Sequence, residues 1–182
     1  MPLDFSLDSD PVLSVAAPDR AAPLRQRADE LASGWATAHV MKVDRRNRFA
    51  VEPAPGGRTR IQLEPALLFS ERLPEDAVFL GRRDDGSHLW AVAVDDLPDD
   101  PAVTTLRRSG ADLVEGDGSL ASQAVALLGW HRDNVRARGP EHHPRRTDAG
   151  WAIVDPFHGD PEYPRTDPAV IVAVSDGERL LL

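Results

Sequence analysis

The sequence predicts an α+β protein in which a domain of short, mainly antiparallel strands is followed by one clear helix. Three observations predict this class: short runs of alternating apolar residues, an Asp-Gly turn between two such runs, and one stretch with helical apolar spacing. The chain has 182 residues, which suits one globular domain, or one domain with a small appendix. Apolar residues make up 41% of the chain and charged residues 28%, which is ordinary usage for a folded protein.

The strand patterns concentrate in residues 1–115, which we predict to form a small N-terminal α/β domain rich in antiparallel pairing. A short helix is predicted over Leu24–Ser33, where apolar residues recur at helical spacing before a glycine. Strands are predicted over His39–Val43 and Arg48–Glu52, joined by a turn-like Asp-Arg-Arg-Asn segment. A third alternating pattern covers Arg58–Leu63.

The strongest hairpin pattern joins Ala77–Leu80 to His88–Val94. The segment between these runs contains Asp85 followed by Gly86, and glycine adopts the positive φ that a tight hairpin turn requires. We therefore expect the two runs to pair with each other.

One later stretch has clear helical periodicity, and we predict a linking helix over 119–134. Ser119 is a natural N-cap, because its hydroxyl can accept a hydrogen bond from an N–H of the first turn. The residues after the helix, up to Asp148, have no period and contain two prolines, which predicts a loop. One face of the helix is formed by Leu120, Ala124, Leu127, Leu128 and His131.

The last third of the chain contains further strand patterns. A strand is predicted over Ala149–Val154, and Ala169–Val174 is a nearly continuous β-branched run, typical of a strand buried on both faces. A turn over 175–178 then leads back into Arg179–Leu182. The final leucines either tuck into the preceding domain or belong to a sheet whose other strands are not in this chain. The covered-sheet pattern of the preceding strand favours the second interpretation.

Composition excludes several classes of protein. The formal net charge of −9 argues against a dedicated binder of DNA or RNA backbones. The absence of cysteine excludes disulfides, thiolate nucleophiles and cysteine-based zinc sites. The sequence has no apolar run of about 18 residues and no secretory signal pattern, so we expect no membrane partner and a cytoplasmic location.

Three segments of the chain form a distinctive series: Ala126–His131 (ALLGWH), Ala149–Trp151 (AGW) and Glu162–Ile171 (EYPRTDPAVI). In order and spacing they resemble the NADH pyrophosphatase, or NAD+ diphosphatase, branch of the Nudix hydrolases. The resemblance implies a variable N-terminal domain and a linking helix. It also implies a zinc-ribbon-like segment, here 135–166, and the first β-hairpin of a truncated Nudix fold, here 167–182.

The zinc-ribbon-like segment departs from the resembled family. The family's ribbon binds zinc through cysteine pairs, and this chain contains no cysteine. Structural zinc sites prefer thiolates, and adjacent histidines do not easily bind one ion. We therefore expect a degenerate segment without zinc, whose histidines are solvated. The substitute ligands that the segment offers are Glu141, His142, His143, Asp155, His158 and Asp160.

The second departure is the absence of the catalytic Nudix box. In the resembled family this motif supplies clustered glutamates, arranged as Arg-Glu and Glu-Glu pairs, that hold Mg²⁺ or Mn²⁺ at the diphosphate. This chain contains neither pair. We therefore assign no catalytic residue and expect the divalent metal only in a complete Nudix domain. We also expect no NAD(H) hydrolysis by this truncated chain alone.

The resemblance implies two substrate-binding residues. Tyr163 would stack on the adenine of an NAD(H)-type dinucleotide across a homodimer interface, and Ile171 would line the pocket. From residue type alone, Tyr163 is equally well explained as a partly buried anchor of the next strand, and Ile171 is better explained as core. His131 is predicted to be a hydrogen-bonded interface histidine instead of a general base. Arg165 and Asp167 are predicted to form a local ion pair.

Two functions are consistent with these observations. The first is the N-terminal portion of an NAD(H) diphosphatase. Such an enzyme yields a nicotinamide mononucleotide and AMP, and NAD-capped RNA is an implied further substrate. The second is a non-catalytic module that dimerises or binds a dinucleotide through the helix over 119–134 and the segment Glu162–Ile171.

Overall fold

The computed structural model describes residues 18–138, 144–157, 159–165, 174–175 and 179–181. Several residues and one strand for which we made predictions lie outside these ranges. They are Glu141, His142, His143, His158, Asp167, Ile171 and residues 169–173 of the predicted strand Ala169–Val174.

The described residues form an α+β fold, as predicted. Their helices are α1 (Ala28–Gly34), α2 (Ala66–Phe69), α3 (Leu106–Ser109) and α4 (Asp117–Arg138). Short 3-10 turns cover Ala22–Gln26, Trp35–Thr37, Pro55–Gly57 and Asp148–Gly150. The strands are β1 (His39–Asp44), β2 (Arg48–Pro53), β3 (Thr59–Ile61), β4 (Glu64–Pro65), β5 (Val78–Arg82), β6 (His88–Val94), β7 (Val103–Thr105), β8 (Arg145–Thr147), β9 (Ala152–Val154), β10 (Pro161–Glu162), β11 (Val174–Ser175) and β12 (Leu180–Leu181).

A four-stranded sheet, in the order β4–β1–β6–β5, forms the centre of the fold. Strand β1 runs parallel to β6, whereas its pairing with β4 and the pairing of β5 with β6 are antiparallel. Two three-stranded antiparallel sheets have the orders β3–β2–β7 and β10–β9–β8. Strands β11 and β12 form the hairpin expected near the end of the sequence.

The predicted hairpin over Ala77–Leu80 and His88–Val94 is confirmed. Val78 of β5 lies opposite Ala91 of β6, and the turn residue Gly86 has a φ of +83°. A residue with a Cβ would be strained at that angle, which explains why an Asp-Gly pair marked the turn.

The turn after β1 leads into a different sheet. Asp44 is fully buried, and its carboxylate accepts hydrogen bonds from the backbone N–H groups of Arg46 and Arg48, at 2.8 and 2.9 Å. The side chain of Arg48 donates a further bond to it at 2.7 Å. The carboxylate thus satisfies the donors of the turn, and β2 then pairs with β3 and β7.

The first predicted helix, Leu24–Ser33, is wrong as a single element. The structure forms a 3-10 turn over Ala22–Gln26 and then α1, and between them Arg27 has the non-helical angles φ −109° and ψ 75°. A ten-residue helix is only marginally stable on its own, so tertiary packing decides its shape.

Helix α4 extends further in both directions than the pattern over 119–134 indicated. It begins at Asp117, so Ser119 lies buried inside its first turn and the N-cap prediction is wrong. It continues to Arg138, whose side chain contacts Asp155 and Glu162. Strand β8 occupies further residues of the predicted loop and pairs with β9. Neither contact is visible in a local sequence pattern. The predicted buried face is confirmed for all its members: Leu120, Ala124, Leu127, Leu128 and His131.

The central sheet is covered on both faces by apolar side chains. Alternation along β1 explains this, because Met41 faces one cluster and Val40 the other. The cluster shared with α4 contains Met41, Val43, Phe49, Ile61, Val78, Leu80, Leu89, Ala91, Leu113, Leu120, Ala121, Ala124, Leu127 and Leu128. The cluster on the opposite face contains Ala21, Leu31, Trp35, Ala38, Val40, Ala66, Ala77, Phe79, Trp90 and Val92.

Candidate functional site

Tyr163 lies on the surface directly after β10. The residue is 56% exposed, and its phenol O–H donates a long hydrogen bond of 3.4 Å to Oδ2 of Asp148. The structure therefore places the predicted stacking residue where a planar ligand can reach its ring. Ile171 lies outside the described residues, so its position relative to Tyr163 stays a prediction.

Asp148 begins a turn in which three consecutive residues have positive φ. The angles are 49° at Asp148, 51° at Ala149 and 88° at Gly150. For a residue with a Cβ this conformation costs on the order of 1–3 kcal/mol, so the turn needs support from its surroundings. A Cβ at Gly150 would lie 2.9 Å from Cγ2 of Val78 and 3.0 Å from its Cα, so the third position requires glycine.

Two side-chain hydrogen bonds fasten this turn to α4 and β5. Nε2 of His131 donates to the carbonyl oxygen of Gly150 at 2.7 Å, and Nε1 of Trp151 donates to the carbonyl oxygen of Phe79 at 2.6 Å. His131 is only 3% exposed, and its burial, with a smaller effect from the charge of Arg146, lowers the pKa of the imidazole to about 4. The neutral ring agrees with the predicted hydrogen-bonded histidine.

Arg25 brings a positive charge to the same turn. The centre of its guanidinium lies 3.6 Å from the centroid of the Trp151 ring, which is cation–π geometry. Burial lowers the pKa of Arg25, and the nearby Arg20 adds to this effect, whereas the charge of Asp148 opposes it. Arg25, Asp148 and Trp151 are thus electrostatically coupled beside Tyr163.

Arg138 connects the end of α4 to the strand that precedes Tyr163. Its guanidinium donates to Oδ2 of Asp155 at 2.6 Å and to the carboxylate of Glu162 at 2.5 and 2.7 Å. Asp155 is 2% exposed and also accepts the backbone N–H of Phe157 at 2.8 Å. This side chain was a candidate zinc ligand, and the structure shows it in an ion pair.

The described residues do not fit a metal centre. Across 18–138 and the later described ranges, no group of three histidine or carboxylate side chains could hold an ion. Because His142, His143 and His158 lie outside the described ranges, the expected lack of zinc in 135–166 stays a prediction.

A separate cavity of about 680 Å³ opens beside the start of α4. Its lining combines Arg60 and Arg83 with several carboxylates and the apolar Leu89. Asp117 accepts the backbone N–H of Ile61 at 2.7 Å, and burial raises the pKa of its carboxyl. This mixed lining does not indicate one class of ligand.

We call Tyr163, Asp148, Trp151 and Arg25 together the Tyr163 surface. Sequence reasoning missed two of its members, Arg25 and Asp148. They lie far apart along the chain, and neither belongs to the recognised motif segments. The Ala-Gly-Trp string, which directly follows Asp148, was the nearest sequence motif that could have indicated this turn.

Among the described helices, none combines the length and the apolar composition that a membrane span requires.

The described residues form an α+β fold that presents the exposed aromatic ring of Tyr163 beside a charged turn. No protein-family model matches the chain. It is, however, 41% identical over 181 residues to the NAD-capped RNA hydrolase NudC of Mycobacterium tuberculosis (strain ATCC 25618 / H37Rv) and to that of Mycobacterium bovis (strain BCG / Pasteur 1173P2). Each match covers 96% of this chain and 56% of the relative.

This identity, which extends over nearly the whole chain, confirms the resemblance that the sequence motifs indicated. The chain spans about half the length of the curated relatives that it matches.

Proposed function

We propose that these residues form the N-terminal portion of an NAD(H) diphosphatase. The complete protein splits the pyrophosphate of NADH or NAD+ into a nicotinamide mononucleotide and AMP, and it removes NAD caps from RNA. The relatives at 41% identity, which are named NAD-capped RNA hydrolases, support this substrate class. The structural observation that carries the proposal is the exposed ring of Tyr163, which is an available stacking platform for a base.

Catalysis belongs to residues that this chain does not contain. No Arg-Glu or Glu-Glu pair occurs in the 182 residues, so the clustered carboxylates that would bind Mg²⁺ or Mn²⁺ at the diphosphate are absent. The role of this chain is to contribute Tyr163 and Ile171 to a dinucleotide pocket. We further propose that the protein is a cytoplasmic homodimer, with Tyr163 reaching the adenine held by the partner subunit.

The proposal includes a division of the chain. Residues 1–115 would be the N-terminal domain and α4 the linking helix, which extends the predicted 119–134 at both ends. The predicted segment 135–166, whose first residues belong to α4, would be ribbon-like without zinc, and 167–182 would start the Nudix domain. The ion pair of Arg138 with Asp155 supports a metal-free segment, because it engages one of the carboxylates that could have replaced the missing cysteines.

The test is AMP release from NADH with Mg²⁺, measured for the purified 182-residue chain and for the complete protein. We expect turnover by the complete protein and none by the 182 residues, because only the complete protein has the glutamates that bind the metal. Turnover by the 182-residue chain, free of contaminating hydrolase, would contradict this location of catalysis.

A second candidate is a non-catalytic module that dimerises or binds dinucleotides. It is favoured by one observation: the Tyr163 surface is present in a chain that has no catalytic motif. If the complete protein releases no AMP but binds NADH, and Tyr163→Ala weakens that binding, this candidate replaces the first.

A further inference from the structure

Two side chains from distant parts of the chain, Arg25 and Tyr163, contact the turn over 148–151. Arg25 comes from the 3-10 turn before α1, Asp148 from the turn before β9, and Tyr163 from the residue after β10. The phenol O–H of Tyr163 donates to Asp148, and Arg25 lies over the ring of Trp151 in the same turn. The N-terminal domain therefore contacts the support of the stacking residue.

The carboxylate of Asp148 is held by a rigid backbone. The hydrogen bond from His131 to Gly150 at 2.7 Å fixes the end of the turn and supports its three positive φ angles. Trp151 adds the bond to Phe79 on the central sheet at 2.6 Å. Asp148 is therefore a fixed acceptor, whereas an exposed tyrosine without a partner would sample several rotamers.

Charge favours the same arrangement. The guanidinium of Arg25 stacks on Trp151 at 3.6 Å, and the charge of Asp148 acts on it electrostatically and opposes the lowering of its pKa. Within the described part of the chain, the hydrogen bond that the Asp148 carboxylate accepts comes from Tyr163. An ionised carboxylate only accepts, so the phenol must donate, and this requirement fixes the direction of its O–H.

We propose that Asp148 and Arg25 are positioning residues that orient the Tyr163 ring for stacking on the base of the dinucleotide. This inference rests on the proposed function, because it assumes that a base stacks on Tyr163. Ordering a side chain on binding lowers affinity, and a ring that is already oriented avoids part of that loss. The N-terminal domain thereby influences substrate affinity through Arg25 without touching the substrate.

The experiment measures KM and kcat for NADH with the complete protein and its variants. Tyr163→Phe and Asp148→Gly each remove the hydrogen bond from one side, and glycine tolerates the positive φ at position 148. We expect each variant to raise KM about threefold with kcat unchanged, and the double variant to raise KM no further than either single one. Arg25→Gln should raise KM about twofold.

Two controls separate positioning from a general structural role. Asp148→Asn retains an acceptor oxygen and tolerates positive φ, so it should keep KM within about twofold of wild type. Asp160→Asn removes an exposed carboxylate from the same segment and should leave KM unchanged. Circular dichroism of every variant checks that the fold is intact.

The possible results distinguish this inference from the proposed function. If Tyr163→Ala raises KM but Tyr163→Phe and Asp148→Gly do not, or if their effects multiply in the double variant, positioning by Asp148 is overturned. If Tyr163→Ala itself leaves KM unchanged, the stacking role fails, and the inference fails with it.

Discussion

The central sheet and the segment over 145–162 are held in place by different kinds of interaction. The sheet is covered on both faces by apolar side chains, and Val40, Met41 and Phe79 are fully buried. The segment has few buried apolar residues, among them Ile153, and is fastened by directed hydrogen bonds and ion pairs. Apolar burial stabilises a fold without fixing individual atoms, whereas directed bonds fix positions. The segment that presents Tyr163 is the one held by directed bonds.

The largest loss of stability should come from a substitution in the apolar core around the central sheet. Phe49→Ala removes a fully buried ring from the cluster beneath α4, and we expect a loss of about 3–5 kcal/mol in the free energy of unfolding. Ile153→Ala, which truncates a buried side chain outside both clusters, should cost about 2 kcal/mol. Urea denaturation of the 182-residue chain measures both values, and an equal or larger loss for Ile153→Ala would contradict the comparison.

The next effect is the pH dependence carried by His131. Its folded pKa, about 4, lies below the ordinary value of 6.5, so the unfolded chain binds the proton more tightly. This contribution to stability is complete above pH 6.5 and is lost as the pH falls towards 4, by on the order of 3 kcal/mol. His131→Gln keeps an N–H donor without titrating, so it should flatten the profile over this range. An unchanged profile would show that His131 does not stay neutral in the fold.

A smaller effect should come from the glycine of the left-handed turn. Gly150→Ala combines an unfavourable φ of +88° with a close contact to Val78, and we expect a loss of about 2–3 kcal/mol. Gly159→Ala is the matched control, because its φ is +77° but its Cβ would meet no atom within 4 Å, so it should lose only about 1 kcal/mol. Equal losses in thermal unfolding would mean that the close contact does not fix the turn.

The smallest effect is expected for the ion pairs of Arg138. Arg138→Gln removes the charge that contacts the buried Asp155 and the more exposed Glu162, so the melting temperature should fall. Arg27→Gln disrupts the exposed pair of Arg27 with Glu30 and should lower the melting temperature less, because solvent screens that pair. Equal shifts for the two variants would place the Arg138 ion pairs among ordinary surface pairs.

The sequence was sufficient for features that depend on local patterns. The hairpin of β5 and β6 followed from an Asp-Gly turn, and the buried face of α4 from helical spacing, because each depends on residues close in the chain. The parallel pairing of β1 with β6 was not predictable, since it joins strands separated by several other elements. The division of Leu24–Ser33 at Arg27 likewise depends on tertiary packing.

The residues of the candidate site also fall into those that the sequence predicted and those that it did not. Tyr163 was found because it belongs to a motif string with family resemblance. Arg25 and Asp148 were missed, because their proximity depends on the fold and because the positive φ at Asp148 and Ala149 has no marker in the sequence.

The most direct test of the account is the KM for NADH of the complete protein in which Tyr163 is replaced by alanine. Loss of the stacking platform should raise KM about tenfold or more while the protein stays folded, and Tyr163→Phe, which keeps the ring, should raise KM only about threefold. A Tyr163→Ala protein with wild-type KM would contradict the central claim that this segment presents Tyr163 to the dinucleotide.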